Sequence, residues 1–136
     1  MLQLSGMLLN RPVMSLRTGT QVATTVAPII NPSNLKIEGF YCTAGRKRLV
    51  LLYQDIRDVL PQGVVVNDLD VLAEPAELIR LKDLMNLNFE LMGKHVVTAD
   101  KDKVGKVTDY ATEIETMYVQ KLYVSQSLFK SFANGN

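Results

Sequence analysis

A chain of 136 residues with 47% hydrophobic content fits one ordinary domain or two very small ones, and it can bury a core, which excludes global disorder. Its 15 Lys and Arg against 14 Asp and Glu leave a net charge of +1, too little for a nonspecific polyanion binder. One cysteine, Cys42, excludes an internal disulfide and points to a reducing cytosol, and no apolar run approaches the roughly 20 residues of a bilayer-spanning helix.

The opening MLQLSGMLLNRPVM has no basic start and no long apolar core, so it reads as a first strand rather than a signal peptide. Residues 12–15 predict a short strand, and Arg17-Thr18-Gly19-Thr20 a turn. Gln21 to Ile30 is rich in Val, Thr and Ile, which suit a pleated, half-buried surface. Asn31-Pro32-Ser33-Asn34 marks the next turn. Leu35, Ile37 and Gly39 then alternate with Lys36 and Glu38, giving a return strand that ends at Phe40-Tyr41-Cys42. Arg46-Lys47-Arg48 predicts an exposed turn, and Leu49–Tyr53 an apolar strand. Gln54 to Asp58 reads as a polar corner anchored by Ile56, Pro61-Gln62-Gly63 as a turn, and Val64–Val66 as a closing strand. Glu74-Pro75-Ala76-Glu77 has the signature of a helix start. With Leu78, Leu81 and Met85 at helical spacing, it predicts a connecting helix over 75–87. Further strands follow at Val96–Thr98, Val104–Ile114 and Met117–Val124, before a polar tail from Ser125 to Asn136.

The second set of strands repeats the first. Residues 18–42 lie over 100–124 at a constant offset of 82, with Val22 on Val104, Ile37 on Val119, Phe40 on Leu122 and Tyr41 on Tyr123. Just upstream, at an offset of 83, Arg11–Ser15 matches Lys94–Thr98. No second copy of Ile56–Val66 exists, so the expectation is that the second unit stops early relative to its relatives. Such a unit would leave a sheet edge for another chain or the N-terminal segment to cover, and a homodimer formed by strand addition or strand exchange at that edge is predicted.

Particular motifs carry a family resemblance. They are Pro12-Val13-Met14-Ser15 with Gly19-Thr20-x-Val22-Ala23, the run Ile29 to Ile37, and Leu51-Leu52-Tyr53-Gln54-Asp55-Ile56-Arg57. Gly93-Lys94-x-Val96-Val97-Thr98 and Lys103–Val107 repeat the opening. These stretches resemble the PRC-barrel superfamily, named for the photosynthetic reaction-centre H subunit and including the C-terminal domain of the ribosome maturation factor RimM. The chain is most similar to bacterial proteins with two such barrels in tandem, although it carries Asn31 where the family usually has Asp. The resemblance implies a mainly β fold of two small PRC-type barrels joined by a short helix: a first barrel over 1–70, a connector over 71–90, and an incomplete second barrel over 91–136. It also implies a cytoplasmic adaptor without a catalytic site, whose partner is another protein. The alternative is a ribosome- or RNA-associated factor, and a peripheral place at the inner face of the membrane is compatible with the lack of a span.

The residues themselves suggest little chemistry. His95, the one histidine, starts a strand with nothing nearby to complete a site, and Cys42 matches Val124 as a small apolar residue. Asp100-x-Asp102 resembles the start of a calcium loop, but Lys103-Val104-Gly105 lacks the further oxygen ligands. No enzyme activity, cofactor or metal is expected. Two basic clusters, Arg46, Lys47 and Arg48 and then Lys101, Lys103 and Lys106, are the candidates for polyanion contact if they share a face.

Overall fold

The computed structural model describes residues 1–125. It is mainly β, with ten strands in two sheets and neither sheet closed into a barrel. The strands are β1 (Leu2–Leu4), β2 (Pro12–Ser15), β3 (Gln21–Asn31), β4 (Lys36–Ala44), β5 (Lys47–Leu52), β6 (Ile56–Leu60), β7 (Gly63–Val66), β8 (His95–Val97), β9 (Lys103–Glu113) and β10 (Val119–Ser125). The six-stranded sheet runs β5-β4-β3-β2-β7-β6. In the other sheet β10 lies on one side of β9, while β1 and β8 share the opposite side.

The repeat read from the sequence is present in the hydrogen-bond register. The β3–β4 pairs Ile30↔Ile37, Ile29↔Gly39, Pro28↔Phe40, Ala27↔Tyr41, Thr25↔Cys42 and Thr24↔Thr43 reappear in β9–β10 with 82 added to each number, from Thr112↔Val119 to Lys106↔Ser125. Both irregularities of the ladder move with it. The pairs of β2 with β3 recur in β8 and β9 at offsets of 83 and 82, Val13↔Ala23 becoming Val96↔Gly105. Even the turns match: Leu35 and Met117 are both left-handed, at φ 58° and 62°, and each donates its N–H to the carbonyl four residues earlier at 2.7 Å.

The two hairpin tips meet each other. Lys36 and Tyr118, equivalent residues, form an antiparallel bridge. The Ile37 N–H donates to Met117 O at 2.7 Å, and the Val119 N–H donates to Leu35 O at 2.9 Å. A contact in which each copy offers the same residues to the other is what a two-fold relation produces. The halves also exchange their leading arms. β1, ahead of the first hairpin, pairs with β9 of the second, and α1 (Lys82–Leu87), ahead of the second, packs on β3 of the first. Residues from both halves, including Ile37, Phe40, Leu51, Val107, Tyr110 and Met117, form one continuous core.

The connector differs from the expectation of a helix over 75–87. It consists of two 3-10 turns, Pro75–Glu77 and Ile79–Leu81, followed by the six-residue α1. Glu74 and Glu77 form a reciprocal capping box around Pro75, as the sequence suggested. Leu78 then adopts φ −95° and ψ 71°, which no helix accommodates. The Val50–Ala73 pairing holds the segment at one end and the packing of α1 on β3 holds it at the other, so tight turns rather than a continuous helix span the gap.

Candidate interaction surfaces

Sheet edges are places where another chain can add a strand, and proteins usually blunt them. β1 and β8 are three residues each, too short to template much pairing. β5 is covered at Val50, which exchanges both backbone hydrogen bonds with Ala73 at 2.8 and 2.9 Å. β6 carries exposed Arg57 and Asp58, a register irregularity, and Pro61 just beyond its end. β10 is different. It runs for seven residues, its one charge is Lys121, and past Val119, whose N–H donates to Leu35 O, no strand among the described residues pairs with its outer edge. Leu122 and Tyr123 there are 38% and 46% exposed.

A second surface lies beside the connector. A groove of about 840 Å³ is lined by Tyr41, Pro75, Leu78, Ile79, Lys82 and Met85. Ile79, in the second 3-10 turn, is 81% exposed, an unusual setting for a large apolar side chain. Arg80 and Lys82 flank it, and Arg48 stands over the Tyr41 ring at 4.3 Å. The sequence hid this surface, because a continuous helix would turn Leu78, Leu81 and Met85 inward and leave Ile79 no special role. The turn-forming Glu74-Pro75 pair was the one available signal.

The basic clusters fall on different hairpins. Arg46 lies in the β4–β5 turn, with Lys47 and Arg48 opening β5, while Lys101, Lys103 and Lys106 surround the start of β9. Each cluster is at the end of its own hairpin remote from the joined tips. All six residues are exposed, and Arg48 is engaged with Tyr41. His95 is exposed at the first position of β8. Cys42 is fully buried on β4, and that burial pushes its thiol up to about 12, so it remains a neutral apolar filler at physiological pH. Asp100 and Asp102 are exposed around Lys101, whose φ is 67°. Among the described residues no three His, Cys, Asp or Glu side chains cluster as metal ligands, and no helix is long and apolar enough to cross a membrane.

No protein-family model matches this chain, and no curated protein matches it.

Proposed function

We propose that this protein is a non-enzymatic adaptor of the PRC-barrel type, with two barrel-like units in tandem joined by the 71–90 connector, the second without counterparts of β5, β6 and β7 among the described residues. Its partner is another protein, met in the cytosol or at the inner face of a membrane. The observation that carries this reading is the apolar groove at the connector, with Ile79 left four-fifths exposed on its rim. An exposed isoleucine in the 3-10 turn that directly follows the capped Pro75–Glu77 turn has the chemistry of a docking anchor. Arg80 and Lys82 beside it favour a partner segment in which acidic residues flank an apolar side chain.

The test is affinity capture from native lysate with three baits: the wild-type chain, Ile79→Asp, and the triple variant R46A/K47A/R48A. A protein partner retained by the triple variant and lost with Ile79→Asp is the expected result. Equal recovery by wild type and Ile79→Asp overturns the assignment of the groove. Co-sedimentation with ribosomal subunits that only the triple variant loses transfers the function to the RNA-associated alternative.

A further inference from the structure

We propose that two copies of this chain pair through the outer edge of β10, antiparallel and centred on Tyr123, so that the partner copy's β10 takes the place that β5 takes beside β4. This goes beyond the adaptor reading and uses a different surface, so either can fail alone.

The first hairpin shows what its outer edge accepts. Opposite β4, the strand β5 places Arg48 across from Thr43, Leu49 across from Cys42, Val50 across from Tyr41 and Leu51 across from Phe40. The Arg48 guanidinium lies diagonally over the Tyr41 ring at 4.3 Å. On β10 the equivalents of Phe40, Tyr41, Cys42 and Thr43 are Leu122, Tyr123, Val124 and Ser125, by the shared register. On β4 the outer neighbour supplies a cation followed by three apolar residues. β10 itself reads Lys121-Leu122-Tyr123-Val124, the same order as Arg48-Leu49-Val50-Leu51 in β5.

Antiparallel pairing about Tyr123 brings these into register. Lys121 of one copy faces Ser125 of the other and lies diagonally over its Tyr123, reproducing the Arg48–Tyr41 contact. Leu122 faces Val124 on the core side of the sheet, twice, and the two Tyr123 rings meet at the axis. Because the strand is its own complement, the contact closes as a two-fold dimer and cannot propagate into a fibre. One difference from β4 limits the paired run. At the place of Gly39, where a Cβ would come within 2.8 Å of Leu51 O, β10 has Lys121. The tightest pairing is therefore at residues 122–124.

Sedimentation equilibrium of the full chain at high micromolar concentration reads the dimer directly. Tyr123→Lys sets two cations face to face at the axis and is expected to weaken the dimer by about tenfold. Tyr123→Glu does the same with two anions, and mixing the two variants restores a dimer. Tyr123→Cys forms an intermolecular disulfide under mild oxidation, because directly opposed residues lie within disulfide reach. The buried Cys42 does not interfere. A wild-type monomer at every concentration overturns the proposal, as does a dimer indifferent to Tyr123→Lys, or one that Tyr123→Cys fails to cross-link.

Discussion

β4 and β10 occupy equivalent places in two hairpins of the same register, yet Phe40 on β4 is fully buried and its counterpart Leu122 on β10 is 38% exposed. Cys42 and Val124 diverge in the same direction, the first fully buried and the second half-buried. Backbone pairing with the inner neighbour is therefore not what buries these side chains. β4 has β5 outside it, and the chain from Ile56 to Val66 then adds two more strands to the same sheet. β10 has neither among the described residues. A repeat can thus preserve hydrogen-bond geometry while its energetic content differs between the copies.

The sharpest way to break this comparison is to truncate the matched pair. Phe40→Ala removes a ring from a closed core and should cost about 3–5 kcal/mol, whereas Leu122→Ala should cost about 1 kcal/mol. Urea denaturation at low protein concentration, where association through β10 does not contribute, measures both. Similar costs would mean that β10 is covered as β4 is.

The second contrast is at the tips. Met117 is 2% exposed and sits in the shared core, while its counterpart Leu35 is half-buried. Met117→Ala should cost about 2–4 kcal/mol and Leu35→Ala about half as much. Both residues have the same left-handed backbone in the native chain, so the strain of an alanine there is common to the two variants and the difference reads packing.

A third contrast lies in the backbone. Gly105 has φ 153° and a Cβ there would collide with Ser125 O, whereas the matching residue of the first unit is Ala23. Gly105→Ala should cost about 1–3 kcal/mol through strain at the end of the β9–β10 ladder. Ala23→Gly at the equivalent place should cost about 0.5–1 kcal/mol. Amide exchange at Ser125 would report the loosened pairing.

How much of this was legible in the sequence follows from which interactions are local. The repeat was legible because each hairpin carries its own apolar alternation, and the offsets of 82 and 83 persist down to the ladder irregularities beside Ala27 and Asp109. The turn at Asn31–Leu35 was legible because Asn31 organises it, accepting from Ser33 N at 2.9 Å through its side chain and from Leu35 N at 2.7 Å through its carbonyl. The exchange of arms was not legible. Leu2–Leu4 is three residues long and pairs with residues far along the chain, so nothing in its own composition names its partner. The N-terminal segment does cover a second-unit edge, but that edge belongs to β9 and not to β10. The connector was misjudged because helical spacing of Leu78, Leu81 and Met85 arises equally from successive 3-10 turns when both ends of a segment are fixed.

A fourth contrast concerns a polar contact that one arm makes and the other lacks. Ser5, behind β1, donates its hydroxyl to Asp109 Oδ1 at 2.7 Å. The positions matching these two are Asn88 and Ala27, which line one cleft between α1 and β3 but offer no carboxylate. Burial pushes the Asp109 carboxyl up, but hydrogen bonds from Ser5 and from the Tyr110 N–H outweigh it and hold the group below the ordinary aspartate value of 3.8. A carboxylate lowered by folding stabilises the native state above its unfolded pKa, and that contribution disappears as pH falls through the folded value. Ser5→Ala should therefore cost about 1 kcal/mol at neutral pH. The gap from wild type should narrow once pH drops below 3.8. Denaturation curves at both ends of that range decide the matter: a gap that stays constant into acid would mean that Ser5 acts by packing against β9 and not through the Asp109 charge.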